Sequence, residues 1–191
     1  NALLFSKLNK KSNKSFLCAL GGDFNVEKFY LSRCLKYSPW SGFNLNSIYH
    51  YYQNISFFFP AYLFLHFYIC RKVKKIIPGL YEYKQAYIKN FKCSEVIGLP
   101  INIDEVNLKN DIANTNIVKI LYSKKPHKGD FYKKGYGYFD EAIKLLKDKD
   151  LKFELITASG VSFDEYKKII SQCDVMLDQT LSYDRGMSAV I

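Results

Sequence analysis

Lys152-Phe153-Glu154-Leu155-Ile156, then Ser162-Phe163-Asp164-Glu165, then Asp174-Val175-Met176-Leu177-Asp178 follow one another near the end of the chain, and their order decides the fold. The first run alternates apolar and polar side chains, the pattern of a short strand. In the second, a serine hydroxyl can take a backbone N–H while a glutamate three residues on reaches back, the spacing of a capping box. Phe163, Tyr166, Ile169, Ile170 and Cys173 then fall on one face of the predicted helix. Asp174–Asp178 has the pattern of a buried strand. The loop after it, Gln179 to Ser188, closes on Gly186-Met187-Ser188, small residues suited to opening a helix. A helix N-terminus at the carboxyl end of a parallel strand is an anion site, because unpaired N–H groups point outward there.

Upstream the same alternation continues. Ile117–Tyr122 reads as a strand, a basic loop with Gly129, Gly135 and Gly137 follows, and Phe139, Ala142, Ile143 and Leu146 mark the next helix. Gly98 to Asn116 is polar and contains Pro100, so residues 100–116 read as a linker. In the first block, Phe16–Leu20 is a strand ending in Gly21-Gly22-Asp23. Asn25 is a candidate cap for a helix carrying Val26, Phe29, Tyr30 and Leu35. Lys75–Ile77 and Glu95–Ile97 read as short strands, with Tyr81–Asn90 a helix between them. Strands and helices in strict alternation predict parallel sheets with crossover helices.

The 191 residues are 48% hydrophobic, a globular composition. The chain lacks an initiator Met and a signal-peptide layout. It opens inside the structure-like Ala2–Phe5 and ends at Val190-Ile191, inside a predicted helix. The expectation is a piece of a longer protein. Five scattered cysteines have no metal-ligand spacing and read as free thiols of a reducing cytoplasm. Three histidines give no catalytic triad, and neither a Walker loop nor a dinucleotide fingerprint is present. The net charge of +10 favours an anionic partner. It is gathered in Lys7/Lys10/Lys11/Lys14, in Arg71/Lys72/Lys74/Lys75 and in Lys124/Lys125/Lys128/Lys133/Lys134; solvated faces are the plainer reading of each group. Ile55–Cys70 is almost wholly apolar, shorter than the ~20 residues of a spanning helix, and interrupted by Pro60 and His66. It reads either as a buried helix pair or, with the cations after it, as a peripheral membrane patch.

Cys173-Asp174-Val175, the Gly186-Met187-Ser188 turn and Lys128-Gly129 in the loop after Ile117–Tyr122 together resemble the C-terminal domain of GT-B glycosyltransferases, above all the retaining family numbered four. The resemblance implies an α/β fold of two Rossmann-like domains. Residues 1–99 would be the rear of the acceptor-side domain and residues 117–191 the front of the nucleotide-sugar domain, both incomplete. It implies that Lys128, with Lys124 or Lys125, holds the donor diphosphate, and that Gly129, Tyr183, Gly186, Met187 and Ser188 complete that site. Fixed cations would stabilise the charge developing on the leaving diphosphate, where losing one such donor costs ~3 kcal/mol. Asp23, in a Gly-x-Asp turn, would orient the acceptor hydroxyl, although Gly-Gly-Asp is also ordinary turn chemistry. The departing phosphate would take the acceptor's proton, so neither a protein base nor a metal is implied. The expected role is sugar transfer of hexosyltransferase type, from a nucleotide sugar to a glycan or lipid-linked acceptor of bacterial surface polysaccharide. The expected place is the cytoplasm, at the inner face of the membrane.

The sequence departs from the family at Ile191, where members commonly carry a glutamate. That favours a transferase-like protein that binds without catalysis. A GT-B-shaped sugar-nucleotide epimerase is a further alternative. The positive charge and the many tyrosines and phenylalanines also fit a basic nucleic-acid-binding protein, but no recognised nucleic-acid motif occurs.

Overall fold

The computed structural model describes residues 2–12, 14–98, 100, 117–122 and 132–183. It is a mixed α/β structure with two parallel sheets. The chain divides into two compact units: residues 1–40 with 44–100, and residues 41–43 with 101–191.

Unit 1 begins with helix α1 (Ala2–Lys11), strand β1 (Phe16–Ala19) and helix α2 (Phe24–Leu31). A 3-10 helix (Leu45–Tyr51) runs into α3 (Tyr52–Ser56), and α4 (Pro60–Lys72), β2 (Lys75–Pro78) and α5 (Tyr81–Tyr87) follow. Strand β1 pairs parallel with β2, from Phe16 opposite Lys75 to Ala19 opposite Pro78. Parallel pairing obliges the intervening chain to cross over, and helices supply the crossover. The core joins Ala19 and Ile76 of the sheet to Val26 and Tyr30 of α2, Cys70 of α4 and Tyr87 of α5.

Local sequence explains the helix ends. Asp23, rather than the expected Asn25, caps α2: its backbone is extended and its Oδ1 accepts the Val26 N–H at 3.0 Å. Asn25 lies one residue inside the helix, where its side chain has passed the capping position. Asn44 and Ser47 form a reciprocal capping box at the 3-10 helix, which the sequence reading did not anticipate. Pro60 starts α4 instead of interrupting it, since a first-turn proline has no N–H to lose. Glu95–Ile97 does not form the expected strand. A single bridge, Ile76 to Cys93, and the Ile97 N–H to Pro78 O bond are its only trace among the described residues.

Unit 2 holds β3 (Val118–Tyr122), α6 (Tyr136–Asp148), β4 (Phe153–Thr157), α7 (Phe163–Ser171) and β5 (Val175–Leu177). The strands form a parallel sheet in the order β4-β3-β5. Central β3 ends in buried Ile120, Leu121 and Tyr122, and Tyr122 packs with Tyr136 and Ile143 of α6. Ser162 caps α7, accepting the Glu165 N–H at 3.3 Å.

Ile76 is fully buried at the centre of the unit 1 sheet. Ile76→Ala is expected to remove ~2–5 kcal/mol of stability, from lost transfer energy plus the cavity left behind. Urea unfolding of the two proteins measures it, and a loss below ~1 kcal/mol would contradict this packing.

Candidate ligand sites at the carboxyl ends of the two sheets

In open α/β sheets the crevice outside the carboxyl ends of parallel strands is where ligands bind. Each unit is built up separately from that edge.

In unit 2, β3 ends at Tyr122 and β5 at Leu177. Directly beyond β5, the Asp178 carboxylate lies 3.6 Å from Lys134 Nζ, with both side chains largely shielded. Thr180 ties the same two segments together. Its N–H donates to Lys134 O at 3.0 Å, and its hydroxyl lies 3.3 Å from the carbonyls of Lys134 and Gly135. Gly135 has φ +72°, a conformation costly for L side chains, and an added Cβ would collide with Thr180 Oγ1. Only glycine lets the two segments close at this point. Under them, the Tyr122 hydroxyl donates to Asp140 Oδ1 at 2.8 Å, and burial together with Asp140 pushes the phenol's pKa upward. Tyr122 is therefore a neutral donor fixing the start of α6. The arrangement holds a Lys134–Asp178 ion pair, formally neutral, at the carboxyl edge of a parallel sheet. A concavity lined by Ile117, Asp150, Leu151 and Phe153 lies at the amino end of β3 and β4, away from this edge.

In unit 1, the chain turns from β1 into α2 through Gly21-Gly22-Asp23. Both Asp23 oxygens are engaged: Oδ1 by the Val26 N–H, and Oδ2 by the Tyr87 hydroxyl at 2.6 Å. One turn further, Glu27 is buried, accepting from Trp40 Nε1 and Asn54 Nδ2, each at 2.7 Å. A Cβ on Gly22 would stand 2.6 Å from Glu27 Oε1, so the glycine leaves room for this carboxylate. Tyr30 donates to buried Glu82 at 2.6 Å. Three carboxylates thus surround α2, each receiving a short hydrogen bond. Beside Asp23, the His66 ring contacts Phe24 and Tyr87, and its Nε2 lies 3.6 Å from Cys70 Sγ. Burial pushes the Cys70 thiol up, Asp23 adds to the shift, and burial pushes the His66 imidazole down. The pair is therefore a neutral thiol beside a neutral ring. A nucleophilic pair needs the opposite, a thiolate beside a cation.

Of the residues expected from sequence, Asp23 and Tyr183 are described. Asp23 is a helix cap and a partner of Tyr87, and Tyr183 is exposed beyond β5. Lys124, Lys125, Lys128, Gly129, Gly186, Met187 and Ser188 lie outside the described residues, and so does Ile191. Sequence reading did not nominate Lys134, Asp178, Thr180 or Glu27. Lys134 stood within a noted basic group. Glu27 follows Asp23 by one helical turn, a spacing that puts both carboxylates on the same side of α2. All five cysteines are free thiols. Among the described residues, no cluster of three or more His, Cys, Asp or Glu is placed to hold a metal, and no helix is long and apolar enough to cross a membrane. No protein-family model, curated protein or solved structure matches the chain.

Two outcomes follow from the unit 1 network. Trp40→Phe takes a charge-assisted donor from buried Glu27 and is expected to cost ~1.5–3 kcal/mol, read by chemical denaturation. His66 has a folded pKa below its ordinary 6.5, through burial, with Asp23 partly opposing the shift. The unfolded chain then binds more protons in this window. The stabilisation is complete above ~6.5 and is lost as pH falls through that value towards the lower folded pKa. Urea midpoints are expected to fall between about pH 7 and pH 5, with a shallower fall in His66→Gln. An equal slope in both proteins would remove His66 as the cause.

Proposed function

We propose that the chain is part of a GT-B-type, metal-independent glycosyltransferase. Unit 2 would receive a nucleotide-sugar donor and unit 1 the acceptor. One observation carries the reading: Lys134, held by Asp178, stands at the carboxyl edge of a parallel sheet. The strand bordering that edge, ending at Tyr122, is followed at once in sequence by Lys124, Lys125 and Lys128-Gly129. Tyr183, beyond β5, is followed by Gly186-Met187-Ser188. Cations and N–H donors that follow strand ends in sequence are what a leaving nucleoside diphosphate needs as its charge develops.

In this reaction the bond from the sugar's anomeric carbon to the diphosphate oxygen breaks and a bond to the acceptor oxygen forms. The acceptor's proton passes to the departing phosphate. Lys128, with Lys124 or Lys125, binds that phosphate, and Lys134, paired with Asp178, borders it as a donor whose charge is already offset. Asp23 orients the acceptor hydroxyl. A carboxylate offers about four acceptor positions, so its bonds to Val26 and Tyr87 leave room for another. The acceptor expected is a glycan or a lipid-linked glycan.

Thermal unfolding in the presence of UDP, GDP, CDP and dTDP tests the donor site. A nucleotide at ~100 times its dissociation constant adds ~2.7 kcal/mol of stability. One base class is expected to stabilise the protein, with the shift lost in Lys128→Ala and reduced in Lys134→Ala. No shift with any of the four, in protein shown to be folded, would overturn the reading.

A further inference from the structure

No Asp, Glu, Lys or Arg occurs between Lys36 and Arg71, in a chain where 24% of residues are charged. Within this stretch the 3-10 helix runs directly into α3, and the two sides of that segment differ. The inner side is fixed. Ser47 is fully buried and closes the capping box with Asn44. Tyr51 is fully buried, its ring 5.0 Å from Trp40 and its hydroxyl donating to Pro39 O at 2.7 Å. Asn54 donates to buried Glu27. The outer side carries Leu45, Ile48, Tyr49 and Tyr52, exposed at 82%, 49%, 84% and 61%. Leu45 reaches Ile48 and Tyr49, and both of these reach Tyr52, by steps of three and four residues, so the four form one continuous stripe. Phe59 extends it: its ring stands edge-on to Tyr52 at 6.4 Å and is itself 42% exposed. Asn46 and Gln53, the exposed polar residues interleaved with the stripe, are neutral amides.

We infer that this stripe docks a second copy of the chain, forming a two-fold dimer. The exposed fractions of the five side chains amount to roughly three whole large side chains, on the order of 600 Å² at ~150–250 Å² each. Two copies then bury about 1,200 Å², the lower end of the range of specific, stable interfaces (~1,200–2,000 Å²). Enrichment in aromatic residues and depletion of charge is also the composition that marks the core of an interface. Charge selects the occupant. Two copies with a net charge of +10 repel, and a contact made of uncharged side chains adds no like-charge pair of its own. In a two-fold contact each copy offers the same patch, so every apolar side chain meets an uncharged surface. A different partner presenting ionised side chains would desolvate them against a segment that offers no counter-charge. An anionic bilayer is recognised by lysines and arginines flanking the apolar side chains, and this segment has none. Packing and hydrogen bonds on the inner side hold the stripe in place before contact, which spares ordering entropy. The dimer is independent of the transfer chemistry above.

Sedimentation velocity of the full chain across a concentration series tests the inference. A reversible monomer–dimer equilibrium is expected, with a dissociation constant on the order of micromolar for an interface of this size. Added salt screens the repulsion between copies, so the dimer is expected to tighten between ~0.05 and ~0.5 M salt. Leu45→Ser with Tyr49→Ser is expected to weaken it at least about tenfold, the worth of one well-buried tyrosine at an interface. Both side chains are more than four-fifths exposed in the single copy, and an unchanged circular dichroism spectrum identifies variants that keep the fold. Phe91→Ser removes an 89% exposed ring that lies after α5, outside the stripe, and is expected to leave the dimer unchanged. Four results would overturn the inference: a monomer throughout the series, a dimer that weakens as salt is raised, no loss in the Leu45/Tyr49 variant, or an equal loss in the Phe91 variant. A monomer that sediments with phosphatidylcholine vesicles would assign the stripe to lipid instead.

Discussion

Parallel pairing of strands distant in sequence is the constraint from which the rest of this structure follows. Strand β1 cannot meet β2 through a hairpin, so the chain from Leu20 to Lys74 must travel back along the sheet. Helix α2, the 3-10 turn, α3 and α4 are that return path, and their inward faces become the core. Strand β3 meets β4 and β5 through α6 and α7 by the same rule. Parallel strands also end together at one edge. Asp23 after β1, and Asp178 after β5, stand at the carboxyl edges of their sheets for topological reasons, whatever chemistry they serve.

The polar network of unit 1 reflects a second constraint. Asp23 and Glu27 on the return path, and Glu82 on α5 after β2, stand around one two-turn helix, and shielding three carboxylates, two of them fully buried, is unfavourable unless each is hydrogen-bonded. Each finds a donor from a different element: Tyr87 for Asp23, Trp40 and Asn54 for Glu27, Tyr30 for Glu82. The polar bonds therefore join segments that apolar packing alone would hold less specifically. Trp40 illustrates this. Its ring lies 5.0 Å from Tyr51, whose hydroxyl reaches the Pro39 carbonyl, while its indole N–H reaches Glu27. The irregular stretch around Ser38–Trp40 is fixed by side chains because it has no ladder to join.

The elements of residues 117–177 were legible in sequence because each carried a local pattern: alternation at Lys152–Ile156, short apolar runs at Ile117–Tyr122 and Asp174–Asp178, and a three-to-four spacing in α6 and α7. The Ser162 cap was legible for the same local reason. Reading failed where the answer depends on tertiary neighbours. Glu95–Ile97 has strand-like residues but forms no ladder: the one bridge beside β2 falls earlier, at Cys93, and Ile97 adds a single bond to Pro78. Asn25 and Asp23 are both acceptable caps in isolation, and the Tyr87 hydroxyl engages Asp23. The Lys134–Asp178 contact joins residues on separate elements, and no local period signals it. Ile55–Cys70 was the hardest case. An all-apolar run has no moment to indicate which side faces inward, and the structure buries Cys70 while leaving Phe64 and Phe67 exposed.

That last division also explains how one helix serves two surroundings. Inward, α4 gives Cys70 to the core and sets His66 against Phe24 and Tyr87, a lining in which burial keeps both groups neutral. Outward, it presents Phe64 and the cationic Arg71-Lys72 end. Lysine and arginine at a helix C-terminus are stabilised by the dipole there, so the cations contribute to α4 before any ligand arrives. Helix α1, which packs beside α4, adds exposed lysines of its own and carries no carboxylate. The fold thus keeps its acids inside and its bases outside over the whole of residues 1–81. This segregation is a product of sequence composition and of the network around α2 together, and neither alone would produce it.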